Sequence, residues 1–326
     1  MVSHGGDSDQ WRPAVSLERL KARAALLDRV RWFFRERGLL EVETPVLSAA
    51  AVTDPNLDSL VADYRGPGAP PEGRLYMQTS PEFPMKRLLA AGSGPIWQVC
   101  HVFRGGERGP RHNPEFTMLE WYRPGWDHHQ LMDEVSELVA FVCGERPVRR
   151  RTYAELFRPF ALDPHGASAE ECAAAARRLG FQPPDGLDRD GVLDLILSHA
   201  VTPELGRGVV EFVHEFPASQ AALARICPGS PPVAERFECF LEGMEIANGF
   251  HELGDAEEQA ARFRHDLEVR ASRGLRQPPV DQRLLQALAS GLPSCAGVAV
   301  GLDRLFMVAL GAGHIDEVLP FPLERA

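Results

Sequence analysis

The sequence predicts an α+β fold, a mostly antiparallel sheet flanked by helices and carrying a helical insertion. Three observations predict it. Strand-like stretches at 97–104, 116–122, 237–241, 244–250 and 296–300 are bounded by turn glycines, so hairpins dominate and the pairing is antiparallel. Ahead of them, Leu20, Ala24, Leu27, Val30 and Phe34 recur at the spacing of one helix face over 17–37. Between about 145 and 235 the pattern turns helical, with Ala-rich runs around 169–179 and 192–200 and Pro-Pro pairs at 183–184 and 231–232 as punctuation.

Residues 1–15 read as a flexible N-terminal segment, polar and Gly/Ser-rich, and 16–326 as one catalytic-sized unit. Ser16 offers the N-cap of the first helix and Gly38 its stop. The stretch 39–47 is extended, and Pro45 inside it confines that strand to an edge, a bulge or an interface. A Pro/Gly-rich loop follows at 66–73.

Composition excludes more than it assigns. At 326 residues, 44% apolar and 25% charged, the chain has the balance of a globular protein with a substantial core. A net charge of -11 argues against a surface built to grip nucleic acid by neutralising phosphates. The six cysteines are scattered, without a C-x-x-C pair or zinc spacing, and read as free thiols of a reducing compartment. No apolar leader precedes the first helix, so the expected location is cytoplasmic, with no membrane partner.

Three segments carry chemistry. In the first, 97–122, a strand, a polar loop and a second strand place Phe116, Met118, Glu120 and Tyr122 on one face and Thr117, Leu119 and Trp121 on the other. Arg104 leaves the first strand where it can hold a phosphate, and Phe116 opens the second where a ring can stack on a base. In the second segment, 237–253, a two-residue turn at Glu242-Gly243 would pair Phe240 with Glu245 and set Glu238 diagonally from Glu245. Carboxylates so placed, about 7–8 Å apart, can share a metal ion. Gly249 suggests a bulge that would re-aim Asn248, Phe250 and Glu252 toward one pocket. In the third, 295–311, a small-residue strand runs through Gly301 into a helix whose first turn holds Arg304, a position that calls for an anionic partner, with Asp303 the local candidate.

Taken as strings, these segments resemble the class II aminoacyl-tRNA synthetases, most closely the lysyl subgroup. Phe103-Arg104 and His112 through Tyr122 resemble motif 2, Gly301-Leu-Asp303-Arg304-Leu resembles motif 3, and Glu43-Thr44-Pro45 resembles the dimer-forming motif 1. The string Gly-Met-Glu-Ile-Ala-Asn-Gly-Phe-His-Glu-Leu at 243–253 matches the lysyl-type pattern almost throughout. The resemblance implies the class II catalytic fold, with ATP held by Arg104 on the α-phosphate, Arg304 on the γ-phosphate, Phe116 on adenine, and His112, Asn113, Ile246 and Gly301 alongside. It implies Mg2+ on Glu238 and Glu245. Ser80, Pro81, Glu82, Glu120, Tyr122, Asn248, Phe250 and Glu252 would hold a lysine-like amino acid, Glu82 taking its amine. Gly105-Gly106 departs from the family's Asn-Glu, which leaves Glu107 to meet the adenine amino group.

Motif 1 starts near residue 16, which leaves no room ahead of it for the anticodon-reading β-barrel of lysyl-tRNA synthetases. The chain therefore resembles the elongation factor P lysyltransferase family, which implies (R)-β-lysine or lysine as the amino acid, elongation factor P as acceptor, a homodimer, and no tRNA. Ala299, where lysyl-tRNA synthetases have glycine, is the finer sign: a methyl there disfavours an α-amine and suits a displaced β-amine. Two alternatives stand beside this reading, a catalytically silent paralog serving as a regulatory subunit and an adenylate-forming enzyme with another acceptor.

Overall fold

Helix α1, Leu17–Glu36, begins where the Ser16 side chain accepts a hydrogen bond from the Arg19 N–H, and Gly38 follows its end at φ +69°. The computed structural model describes residues 11–326. Residues 1–10 of the expected flexible segment, 1–15, lie outside the described residues; its last two residues are held, Ala14 N–H donating to Pro320 O and Val15 buried. The core face of α1 is Leu26, Val30, Phe33 and Phe34, and Phe34 stacks on Trp97 at 5.0 Å between ring centres.

The extended stretch after α1 divides between two sheets. β1, Leu40–Glu41, pairs in parallel with β5, Ile96–Phe103, of the main sheet, and β2, Leu47–Ser48, joins a three-stranded sheet with β3, Val61–Asp63, and β4, Arg74–Met77. Pro45 lies between β1 and β2, so its missing N–H interrupts no ladder. Helix α2, Glu82–Ala90, then leads into the long hairpin β5, Ile96–Phe103, and β6, Glu115–Pro124.

Helix α3, N-capped by Asp127 in a reciprocal box with Gln130, spans His128–Cys143 and packs on the sheet with α1 and with α9, Leu302–Ala309. The main sheet continues with β7, Val148–Thr152; β8, Val210–Pro217; β9, Ile226–Cys227; β10, Val233–Leu241; β11, Met244–His251; and β12, Cys295–Gly301. Its order is β1-β5-β6-β12-β11-β10-β8-β7, with β9 on β10; β1·β5 and β7·β8 are parallel and the other pairs antiparallel. Leu119, Trp121, Phe237, Cys239, Val298 and Val300 point to the face covered by α1, α3 and α9 and form the main core with them. The other face carries the polar residues of the same strands, as the alternation on β6 predicts.

The insertion is only partly helical. Between 145 and 235, helices α4, Tyr153–Phe157, α5, Ala169–Arg178, and α6, Arg189–Ile196, build a second core around Tyr153, Phe157, Cys172, Ala176 and Ile196, but β7 and β8 belong to the main sheet. Strand β8 lacks an alternating pattern because both its faces are covered: Phe212 enters one core, Val213 and Phe216 the other. Its Glu211 is fully buried and is neutralised by Arg151 at 2.6 Å, across the edge strand β7. Helices α7, Ala256–Ser272, and α8, Gln282–Ala289, close the cavity side. All six cysteines are free, and no helix of the described residues is long and apolar enough to cross a membrane.

Candidate active site

Glu242-Gly243 forms the turn between β10 and β11, and Phe240 pairs with Glu245 as the spacing predicts. The bulge, however, is at Ile246 and not at Gly249. The register shifts between Cys239, which faces Ala247, and Phe240, which faces Glu245, leaving Ile246 as the extra residue. Ile246 and Ala247 both enter the core, so Glu245 and Asn248, three residues apart, share the site face, with Asn248 directly opposite Glu238. The Ile246 side chain is thus core, and only its backbone is available to a ligand. Gly249 has a different cause: a Cβ there would lie 2.4 Å from the Phe237 ring.

Above this face lies a cavity of about 800 Å³ whose wall includes Ser80, Glu82, Arg104, Glu238, Asn248, Phe250 and Ala299. Beneath it is an acidic layer. Glu120 accepts hydrogen bonds from Ser80 Oγ and Tyr122 Oη, both at 2.6 Å. Lys86, 1% exposed, puts its Nζ 2.6 Å from both Glu82 and Glu252. Burial, and then the neighbouring Glu82, push the Glu120 carboxyl up to about 7. Burial pushes Glu252 to about 8 against the pull of Lys86, with Glu82 and Glu120 adding to the rise. Burial alone would lower the Lys86 pKa, but Glu252 and Glu82 outweigh it and hold the ammonium charged. When all three carboxyls are ionised, as a cationic ligand favours, three carboxylates facing one ammonium leave room for two further positive charges. Tyr122 and Gly297 close the floor: a Cβ on Gly297 would come within 2.2 Å of Tyr122 and 2.5 Å of Glu252.

The Ser80-Pro81-Glu82 corner is built for this. Ser80 Oγ accepts from the Glu82 N–H at 3.1 Å while donating to Glu120, and Pro81 starts α2 without needing an N–H partner. Helix α2 then places Lys86 one turn beyond Glu82.

Glu238 is the carboxylate nearest a cation's requirements. Its Oε1 accepts from Arg236 Nη2 at 2.6 Å, and burial followed by the charge of Glu245 raises its carboxyl to about 8. Two mutually repelling carboxylates, Glu238 buried and Glu245 half-buried, are a fitting donor pair for Mg2+. Arg236 also donates to Asn248 Oδ1 at 3.3 Å and to Gln220 O at 2.8 Å, so one guanidinium sets both neighbours.

The partners of the two motif arginines differ from the expectation. Asp303 does not pair with Arg304; it accepts from the Thr117 N–H at 2.7 Å and binds Arg23 at 2.6 Å. Arg304 instead donates to Glu245 O at 2.8 Å, Arg111 O at 3.2 Å and His112 Nε2 at 2.6 Å. Burial and the Arg304 charge lower His112 to about 4, so its ring is a neutral acceptor. Arg304 therefore keeps its full positive charge for an anion. Gly301 caps α9 beside it, and a Cβ there would touch the Arg304 side chain at 3.8 Å.

Arg104 lies on the cavity wall, with its guanidinium 5.2 Å above the Phe116 ring and 4.0 Å from Glu107. The Gly105-Gly106 departure has a local cause: Gly106 sits at φ +77°, and a Cβ on Gly105 would press on Asp58 at 3.1 Å. Asn113 is bound at both ends of its amide, donating to Glu115 O at 2.7 Å and accepting from Leu323 N–H at 3.2 Å, so it anchors the C-terminal segment to the motif 2 loop. Lys86 and Arg236 were not picked out as site residues from the sequence. The i,i+4 spacing from Glu82 and the shared strand face with Glu238 are the signals that point to them.

The chain matches the family model described as tRNA synthetases class II (D, K and N) over residues 9–325. It is 49% identical over 321 residues to a protein of Vibrio vulnificus named elongation factor P–(R)-β-lysine ligase, covering 97% of this chain and 99% of that one. Proteins of the same name from Pasteurella multocida and Vibrio cholerae are 48% and 49% identical, each covering 98% of this chain and 99% of the relative. The chain belongs to the class II tRNA synthetase family (D, K and N).

Proposed function

We propose that this chain activates (R)-β-lysine with ATP and transfers it to a lysine side chain of elongation factor P, without tRNA. The observation that carries the substrate class is the set of Glu82, Glu120 and Glu252 around Lys86, an acidic floor that, once its carboxyls are ionised, is two positive charges short of balance. An amino acid with two ammonium groups supplies those charges. The names borne by relatives at 48–49% identity support the same amino acid and acceptor.

The first step needs no general base, because the substrate carboxylate is already a nucleophile at neutral pH. It attacks the α-phosphorus in line, and pyrophosphate leaves with the bonding electron pair. Arg104 offsets charge at the α-phosphate, and Arg304, held by two carbonyls and a neutral imidazole, offsets charge at the far end of the triphosphate. Glu238 and Glu245 would hold Mg2+, which supplies further neutralisation of the phosphates. Phe116 stacks on adenine, and Glu107 takes the adenine amino group. In the second step the neutral amine of the acceptor lysine attacks the acyl carbon, AMP departs, and an amide forms.

Ala299 lies on the cavity wall, opposite Asn248 on one side and Glu120 on the other. Its methyl occupies the space an α-amine would use and leaves that of a β-amine. The protein acts in the cytoplasm as a homodimer, a reading supported by the exposed Leu40, Val46 and Leu47 around the motif 1 stretch. The test combines the enzyme with ATP, (R)-β-lysine and purified elongation factor P. Intact-mass spectrometry then reports a gain of one lysyl unit on the factor; labelling of tRNA instead would overturn the acceptor.

A further inference from the structure

Three side chains with no part in the adenylation site converge beneath it. His128 opens α3, Glu235 lies on β10 and His251 ends β11, and one ligand-capable atom from each lies within 4.8 Å of the other two. His128 Nδ1, Glu235 Oε2 and His251 Nδ1 are all buried atoms; His128 Nδ1 has no hydrogen-bond partner, and His128 as a whole is only 6% exposed. Glu235 Oε2 and His251 Nδ1 face each other at 2.8 Å, so His128 Nδ1 is the one of the three left without a partner. Buried polar atoms nearly always find partners, so an orphan imidazole nitrogen aimed at a histidine–carboxylate pair calls for a partner that all three can share.

We propose that His128, Glu235 and His251 form a binding site for Zn2+. Two imidazoles and one carboxylate are a zinc ligand set, and imidazole nitrogens select against Mg2+ and Ca2+. Glu235 and His251 are each partly open to solvent, which leaves an entry path and a fourth position for water. Burial, with the adjacent His129 second, lowers His128 to about 3, so its ring carries a free lone pair at neutral pH.

The surroundings supply both help and opposition. His251 Nε2 lies 3.1 Å from Ser294 Oγ, which can accept a hydrogen bond from Nε2–H in the tautomer that leaves Nδ1 free for the metal. Arg225 opposes: its Nη1 donates to His251 Nε2 at 3.2 Å and its Nε lies 3.8 Å from Glu235, so it must turn away as the ion enters. Asp127, next to His128, adds negative charge nearby. By strand alternation Glu235 and His251 face away from Arg236 and Phe250, their immediate neighbours on the cavity side. A bound ion therefore ties the start of α3 to the strand ends that present Arg236 and Glu252.

The test uses the full chain, stripped of metal and kept in millimolar Mg2+ so that Glu238 and Glu245 do not compete for the added ion. Zn2+ and its spectroscopic substitute Co2+ are titrated into wild type, His128→Ala, Glu235→Gln and Glu238→Gln. Wild type and Glu238→Gln are expected to bind one equivalent, with visible Co2+ d–d absorption, and to gain about 4 °C in Tm at one hundred times Kd. His128→Ala and Glu235→Gln are expected to lose the absorption and the gain; if His128→Ala does not fold, Glu235→Gln decides. No binding at micromolar Zn2+, equal binding by these two variants, or loss of binding in Glu238→Gln would each overturn the proposal.

Discussion

Lys86 Nζ lies 2.6 Å from Glu252 Oε2 and 2.6 Å from Glu82 Oε1, so the protein's own ammonium already sits between two carboxylates that the substrate must also satisfy. Removing it leaves buried negative charge unpaired. Lys86→Met is expected to lose about 3 kcal/mol of stability in the ligand-free chain, toward the lower end for breaking a buried pair because Glu252 can take up a proton. Urea unfolding of the two proteins measures it, and an unchanged midpoint would contradict the pairing.

The raised carboxyls make stability depend on pH in a definite direction. Glu238 and Glu252 move from the usual 4.5 up to about 8 in the folded chain, so the folded state binds their protons more tightly than the unfolded state does. Their contribution to stability falls as pH rises through that window. His112, lowered from 6.5 to about 4, acts in the opposite direction but only below 6.5. From pH 6.5 to about 8 the Tm of the ligand-free chain should therefore fall, and Glu252→Gln should flatten the decline.

The same shift at Glu238 couples ATP binding to a proton. With its carboxyl at about 8, Glu238 holds a proton at pH 7 and gives it up when a cation arrives. Calorimetry of magnesium-ATP binding in buffers of different ionisation enthalpy should report release of up to about one proton at pH 7 and almost none at pH 9. Glu238→Gln should abolish the release; an identical release in that variant would contradict the assignment.

Arg304 is charged and unneutralised, because Asp303 is committed to Arg23. Arg304→Ala should lower kcat for pyrophosphate exchange by about 10²–10³, the usual loss for one preorganised charge-stabilising donor. Arg23→Ala should leave exchange far less affected while lowering stability, since its charge serves Asp303 and not the site. Equal kinetic losses in both would contradict the division of roles.

Ala299→Gly removes the methyl between Asn248 and Glu120. It should shift kcat/KM toward α-lysine relative to (R)-β-lysine by about tenfold or more, corresponding to roughly 1–3 kcal/mol for one methyl in a pocket. An unchanged ratio would assign Ala299 to packing alone.

Much of this was legible in the sequence because the chemistry lies in continuous strings. The alternation on β6 placed Glu120 and Tyr122 opposite Leu119 and Trp121, and the turn at Glu242-Gly243 set Phe240 against Glu245. What escaped was non-local. The bulge at Ile246 depends on how two successive apolar residues fill the core, whereas Gly249 answers to the Phe237 ring across the strand. Strand β8 was hidden because both of its faces are buried, which erases the period-2 pattern. Asp303 stands next to Arg304 in sequence yet pairs with Arg23, whose helix reaches it only in the folded chain.

Pyrophosphate exchange tests the central claim most directly. The purified chain should exchange labelled pyrophosphate into ATP only with a lysine-like amino acid present, and faster with (R)-β-lysine than with α-lysine. The exchange should fall in Glu252→Gln through a raised KM. Absence of exchange with every amino acid would contradict adenylation, and equal exchange with an uncharged amino acid such as leucine would contradict the acidic floor as the substrate's binding site.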